Sequence, residues 1–432
     1  MATTTTTRNP DPLPAGVDPC DLPAHGHKAL HLAEARERIV AAIVPVEGRE
    51  TVSLRSALGR VLAADVRSTV DVPTHRNSAM DGYALTGADL PASGTASFEI
   101  VGTSWAGRPY EGRVDRGQCV RIMTGATVPE PTDTVVMQEH VRMVAGNAVI
   151  ESGHRIGQNV RPVGEDIRRG DVALGAGTAL TPARLGVLAS IGIGAVEVRR
   201  RPRVAVFSTG DELASAGEPL APGQIYDSNR YSLHGMLLRL GAEVLDLGVI
   251  PDTREDTLRA FESAATQVDM IITSGGVSVG EADYVTETLE RHGRIGFWKV
   301  AMKPGKPIAF GHFGPALFFG LPGNPVSVMV TFYHVVRPAL QALMGATEPE
   351  TPILLRATCA TRLRKKPGRQ EFQRGVFERD ATGKYVVRIT GHQGAGVLRS
   401  MSEANCFIVL PLEQGDVEPG TEVDVQPFAG LV

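Results

Sequence analysis

Cysteine is scarce: Cys20, Cys119, Cys359 and Cys406 are the four in the chain, and no C-x-x-C pair occurs among them. That spacing excludes a disulfide framework and a zinc knuckle, and it fits a reduced cytoplasm. Long apolar runs are missing too. Nowhere do about 18 apolar residues follow one another, so no membrane-spanning helix is expected. The stretch MATTTTTRNPDPLPAGVDPCDLPAHGH, residues 1–27, is rich in Thr and Pro without an apolar signal core and reads as a disordered leader. Neither sign of charge dominates: 44 Lys and Arg stand against 48 Asp and Glu, a formal net charge of -4. With no long single-sign block, a nucleic-acid partner has no electrostatic support. There is no H-E-x-x-H, and the 11 histidines show no metal-ligand spacing.

What is present is a globular composition, 42% hydrophobic against 21% charged in 432 residues, enough for roughly three domains. LAEARERIVAAIV, from Leu32 to Val44, places Leu32, Ala35, Ile39, Val40 and Ile43 at helical spacing before Pro45. Residues 77–159 carry short β-like pieces between Gly and Pro turns, a small all-β module of the inserted kind. TPARLGVLASIG then restores helix, with Thr181 as cap, Pro182 at the first position and Gly192 at the end. Packing of this helix on the Leu32 helix is the expected way to build a discontinuous N-terminal α+β domain from residues 28–76 and 160–201.

From residue 202 to 348, continuous apolar strands alternate with amphipathic helices, the pattern of a parallel sheet covered on both faces: a three-layer α/β domain. Pro338 is expected to bend its last helix. Residues 349–432 read as strands joined by turns, a C-terminal β-barrel. The whole is multidomain, α/β plus all-β.

In such a sheet, ligands bind outside the carboxyl ends of the strands, where loops meet helix N-termini. Three loops qualify: STGDEL with Ser208, Gly210 and Glu212, PDT with Asp252, and SGGVSVGEADYV. In the last, Gly275 and Gly276 permit a close backbone approach to a phosphate, and Ser274 and Ser278 add hydroxyls. Glu281 and Asp283 would repel a phosphate unless a divalent cation lay between, and oxygen ligands suit Mg²⁺. A tight turn with acids favouring the next helix dipole accounts for the loop about equally well taken alone; TGD in the first loop reads equally as a helix cap. Lys299 and Lys303 in FWKVAMKPGKP lie four apart, so one strand would project both from one face, and Lys306 follows. They form either a phosphate clamp or an edge guard. GLPGNPVS sets Pro322 and Pro325 around a turn that opens a helix. Asp81 in NSAMDGYA, Thr124 in MTGA and Asp166 in GED are weak signals singly, and RLRKKPGRQEFQRG is either a solvated face or a landing strip for phosphates.

Together and in order, NSAMDGYA, MTGA, GED, STGDEL, SGGVSVGEADY, KPGKP and GLPGNPVS resemble the molybdopterin molybdenumtransferase family, of the MoeA and gephyrin E-domain type, from about Lys28 onward. The resemblance implies an L-shaped homodimer of four-domain subunits that inserts molybdate into adenylylated molybdopterin, with Mg²⁺ and with release of AMP. It further implies that Asp81 and Thr124 reach the cleft from the partner subunit and that Asp166 faces it. Glu212, Asp252 and Asp283 would contact pterin or Mg²⁺, Lys299 and Lys303 the anions, and Pro322 and Pro325 the wall. Because the substrate's dithiolene sulfurs bind the molybdenum, scattered cysteines are compatible with this. Ala395 departs from a family serine. Two alternatives stand beside this reading. Enzymes on the same α/β core need neither the NSAMDGYA module nor the barrel, and a non-catalytic scaffold of the gephyrin sort would not need Glu212, Asp283 and Lys303.

Overall fold

The computed structural model describes residues 29–275, 284–347 and 352–428. They belong to two compact units: residues 51–58 with 62–198, and the remainder, comprising residues up to 50, 59–61 and from 199 onward. Among the described residues no helix is long and apolar enough to cross a membrane.

Helix α1 (Leu32–Ala41) buries Leu32, Ala35 and Ile39, as the periodicity requires, but stops three residues short of Val44. Its apolar face joins the core of Ala339, Leu340 and Leu343 near the end of the α/β domain, not that of the Thr181 helix. The helix pattern specified a buried face and left its partner open.

The smaller unit holds a six-stranded sheet: β1 (Gly82–Leu85), β2 (Thr95–Ser104), β3 (Gln118–Ile122), β4 (Thr134–Met137), β5 (Val141–Val144) and β6 (Asn147–Glu151) lie in the order β4-β1-β3-β2-β6-β5. Tyr83, Leu85, Phe98, Cys119 and Val136 fill one side, and Ala84, Ile122 and Val135 the other, which is the period-2 alternation of strands. Helix α2 (Pro182–Ser190) starts as anticipated: the Thr181 hydroxyl accepts from the Arg184 N–H at 3.4 Å, and Gly192 follows the end at φ 80°. Its Leu188 packs with Leu62, Leu180 and Val198 in a separate core.

The larger unit is built on strands β7 (Arg203–Thr209), β8 (Leu213–Ala214), β9 (Ile225–Tyr226), β10 (Glu243–Ile250), β11 (Met270–Ser274), β12 (Gly293–Lys299), β13 (Met302–Lys303), β14 (Pro307–Phe313) and β15 (Ala316–Leu321). They are interleaved with α3 (Asn229–Leu240), α4 (Arg254–Ala265), α5 (Tyr284–His292), α6 (Pro325–Thr331) and α7 (Arg337–Leu343). The main sheet runs β10-β7-β11-β15-β14-β12; its first four strands are parallel, and β14 and β12 add antiparallel pairings. Alternate residues of β7 serve opposite faces: Val204 and Val206 meet Leu233 and Val326 of α3 and α6, while Ala205 and Phe207 meet Phe261 and Leu289 of α4 and α5. This is the three-layer arrangement, and each fully buried Leu or Phe contributes roughly 1.5–3 kcal/mol. Pro338 does not simply kink a helix. A π-type turn over Phe332–Val336 precedes it, so that Pro338 falls in the first turn of α7, where its missing N–H is not needed.

Strands β16 (Leu355–Cys359), β17 (Gln370–Arg379), β18 (Tyr385–Ile389), β19 (Cys406–Leu410) and β20 (Glu422–Pro427) lie in the order β17-β18-β16-β20-β19, and a β17–β19 pairing closes them into a five-stranded barrel. Phe372, Phe407 and Phe428 of this barrel share the α1–α7 core, where the His334 ring stacks on Phe372 at 3.9 Å.

Candidate active site

Register decides which loops meet. Thr209 pairs with Ile250, Ser208 with Ser274 and Ser274 with Leu321, so β7, β10, β11 and β15 end level and their loops leave one rim. Gly210, Glu212, Asp252, Gly275, Pro322 and Pro325 are thereby carried to the same edge, with Ser208 and Ser274 buried in the strand ends below. Gly276, Ser278, Glu281 and Asp283 lie outside the described residues. The TGD turn caps no helix; it passes into β8, and the Glu212 carboxylate folds back over Gly210, 2.6 Å from where a Cβ would sit.

Gly275 has φ 91°, and an added Cβ would lie 3.0 Å from the Thr209 carbonyl. Glycine is needed there for close packing. Its N–H donates to the Leu321 carbonyl at 3.1 Å, so this amide is committed to the strand edge and is not free to cradle an anion. Ser208 Oγ and Thr273 Oγ1, by contrast, are buried without a partner among the described residues. Asn229, the first residue of α3, joins the end of β11 to the loop after β15: its Nδ2 donates to Ser274 Oγ and to the Gly323 carbonyl, both at 2.7 Å.

The two lysines do not share a strand. Lys299 ends β12, whereas Lys303 lies in β13, which pairs with Gln370 and Glu371 of the barrel. The break falls where Val300 bridges Leu30 and where Val300, Ala301 and Met302 are buried, because packing turns the chain that an uninterrupted strand would have extended. Lys303 and Lys306 line a cavity of about 560 Å³ closed on the other side by Arg364, Arg369, Arg374 and Ala395. Lys299 is not part of its wall.

Charge in this cavity is unbalanced. Lys303 Nζ sits 3.1 Å from Glu371 Oε1, a carboxylate only 3% exposed that also accepts from Gln373 Nε2 at 3.2 Å. Lys306, Arg364 and Arg369 have no ion-pair partner among the described residues, while Arg362 is held by Asp416 and Glu418. Arg374 is buried, donating to Ser400 Oγ and the Gly394 carbonyl at 3.0 Å each. Burial lowers its pKa to about 10, which leaves it charged at neutral pH. From the basic run, Lys365 is instead a structural post, its ammonium 2.7 Å from the Gln414 carbonyl. Ala395 presents a methyl to the cavity and accepts from the Val326 N–H at 3.0 Å. Ser327, in the first turn of α6 two residues past Pro325, also lines this cavity. The cavity therefore adjoins the rim through the start of α6.

In the smaller unit, Asp81 Oδ1 accepts from both the N–H and the hydroxyl of Thr124 at 2.7 Å. These donors hold the Asp81 carboxyl below its ordinary range. Both residues are exposed, as is Asp166, whose N–H donates to the Val72 carbonyl. Cys119 and Cys406 are buried, which pushes their thiols up to about 12, so neither is a nucleophile. Among the described residues no group of three or more His, Cys, Asp or Glu side chains is placed to hold a metal.

Three family models match in chain order: the MoeA N-terminal region, domains I and II, over residues 30–192; a probable molybdopterin-binding domain over 205–342; and the MoeA C-terminal region, domain IV, over 356–428. The chain is 44% identical to a molybdopterin molybdenumtransferase of Haemophilus influenzae across 93% of this chain and 100% of that protein. It is 36% identical to one of Nostoc, across 93% and 94%. Crystal structures of the molybdopterin biosynthesis protein MoeA from Pyrococcus horikoshii superpose with TM-scores of 0.71 and 0.78 at 30% and 28% identity, each covering 93% of this chain and 99% and 100% of theirs. By sequence, domain order and fold, the chain belongs to the molybdopterin molybdenumtransferase family, enzymes of molybdenum cofactor biosynthesis.

Proposed function

We propose that this chain inserts molybdate into adenylylated molybdopterin and releases AMP, acting with Mg²⁺ as a cytoplasmic homodimer whose partner supplies Asp81 and Thr124. The observation that carries the reading is the cation-lined cavity: among the described residues Lys306, Arg364 and Arg369 have no ion-pair partner around about 560 Å³, with Arg374 buried beneath them. Unpaired cations converging on one space are stable when an anion occupies it. A tetrahedral dianion such as molybdate matches that charge, and the adjoining rim supplies loops for the pterin and its phosphates.

Releasing AMP breaks a P–O–P link: a water oxygen bonds to one phosphorus while the bridging oxygen leaves with the other, and the proton released leaves negative charge on both phosphate products. Lys303 and Lys306 are placed to stabilise the charge that develops, with Lys303 held in position by Glu371. Among the described residues the rim offers oxygens from Ser208, Thr273, Glu212 and Asp252, and such a set suits Mg²⁺. Glu212, Asp252, Glu281 and Asp283 would hold the ion. When bound, it would neutralise phosphate charge. Ser274, Ser278, Gly276 and Asp166 remain proposed contacts, and Pro322 and Pro325 stiffen the wall.

The test is to incubate purified protein with adenylylated molybdopterin, Mg²⁺ and molybdate and to follow AMP. Release that depends on molybdate and on Mg²⁺ is the expected result; release indifferent to molybdate would reject the transfer reaction.

A further inference from the structure

We propose that Asn229 is a positioning residue: its carboxamide ties the end of β11, at Ser274, to the loop after β15, at Gly323, and so sets the spacing of two neighbouring parts of the rim that would receive molybdopterin, a role that rests on the function proposed above. The two acceptors come from separate motifs. Ser274 ends β11 immediately before Gly275, and Gly323 stands between Pro322 and Pro325. One Nδ2 reaches both at 2.7 Å. Only a primary amide offers two donors from one short, planar group; a carboxylate of the same shape offers none.

The amide is itself held from below. Asp227 Oδ1 accepts from the backbone N–H groups of Asn229 and Arg230 at 3.1 and 3.2 Å, capping α3 at its first residue. Arg230, 8% exposed, donates from Nε to Asp227 Oδ2 at 3.2 Å and from NH1 to both oxygens of Asp246 on β10 at 2.9 and 2.8 Å. In this Asp–Arg–Asp cluster Asp227 and Arg230 are buried while Asp246 is exposed, and such ion pairs contribute little net stability compared with apolar packing of the same volume. Its geometric effect is to fix α3, and hence Asn229, against the strand on the far side of β7. Asn229 Oδ1 is buried and has no partner among the described residues. An unpaired buried acceptor costs free energy that a packing residue would avoid. The side chain is thus suited to what its two donors join.

The experiment uses full-length protein and compares wild type, Asn229→Ala and Asn229→Asp. Molybdopterin binding is titrated by fluorescence, the KM for molybdate is taken from AMP release, and backbone hydrogen exchange is followed without ligand. Asn229→Ala should weaken molybdopterin binding about tenfold, the scale of one well-made pair of bonds, and should speed exchange at Gly275. Its KM for molybdate should stay within about twofold, because the cation cavity uses other residues. Asn229→Asp should be intermediate: the Ser274 hydroxyl can turn to donate to the new carboxylate, while the Gly323 carbonyl is repelled. Unchanged molybdopterin binding in both variants would overturn the proposal, and so would an equal loss of molybdopterin and molybdate affinity, which would mark a merely structural residue. If wild type failed to bind molybdopterin while exchange at Gly275 still rose in Asn229→Ala, the clamp would stand and the proposed function would fall.

Discussion

The two units treat similar-looking motifs in opposite ways. In the smaller one, the polar groups of NSAMDGYA and MTGA largely satisfy one another: Ser78 Oγ donates to the Met80 carbonyl at 2.6 Å, the Gly125 N–H donates to the Ser78 carbonyl at 2.8 Å, and Asp81 takes both donors of Thr124. Asn77 Oδ1 is an exception. In the larger unit the motifs leave groups open: Ser208 Oγ, Thr273 Oγ1 and Asn229 Oδ1 are buried without partners among the described residues, and three cations face a cavity. Burying polar groups without partners is unfavourable unless something else is gained. The open groups at the rim and cavity are where the proposed function would receive a ligand, and the closed ones shape the backbone that carries the exposed Asp81 carboxylate.

The comparison can be broken, and the largest expected effect comes from the open side. Lys303→Met keeps the apolar stem and removes the ammonium; molybdate-dependent AMP release should fall about 10²–10³-fold, the scale of one lost charge-stabilising donor. Activity within threefold of wild type would remove Lys303 from the reaction. On the closed side, Asp81→Ala should barely change the melting temperature, since the carboxylate is exposed, yet lower turnover about 10²-fold. A variant with full activity would make that motif purely structural.

A smaller effect is expected from Gly305→Ala in KPGKP. Gly305 has φ 105°, and a Cβ there would sit 2.5 Å from Thr331 Oγ1, so the loop must shift. A loss of about 1–3 kcal/mol by denaturant titration is expected, together with weaker molybdate binding. The most modest effect concerns pH. His334 is fully buried, and burial, reinforced by Arg36 and Arg337, lowers its pKa to about 3. The unfolded chain takes up that proton below its ordinary pKa of about 6.5 and the folded chain does not, so stability falls as pH drops from about 6.5 toward 3, by at most ~1.4 kcal/mol per pH unit. His334→Phe should flatten that slope in melting curves between pH 6.5 and 4.5; an unchanged slope would assign the acid sensitivity elsewhere.

Much of the framework that carries the candidate site was legible residue by residue. Pro182 after Thr181 and Pro325 as the opening of a helix announced helix starts that the structure contains, and the continuous apolar strands expected between residues 202 and 348 include the buried strands β7 and β11. Other features were not legible. Lys299 and Lys303 look like one strand face because spacing carries no information about where buried neighbours turn the chain. The commitment of the Gly275 N–H to Leu321 depends on a partner 46 positions away in sequence. Asn229 gave no signal because its acceptors lie 45 and 94 residues distant.

By itself the sequence determined the kinds of element, the order of the motifs and the family, because propensity, period and turn chemistry act over a few residues at a time. Which loops share a rim, which lysines line the cavity and which amide holds a strand end to a loop were decided only by strand register and shared cores. Those depend on contacts between residues far apart in the chain, formed when apolar faces find their partners.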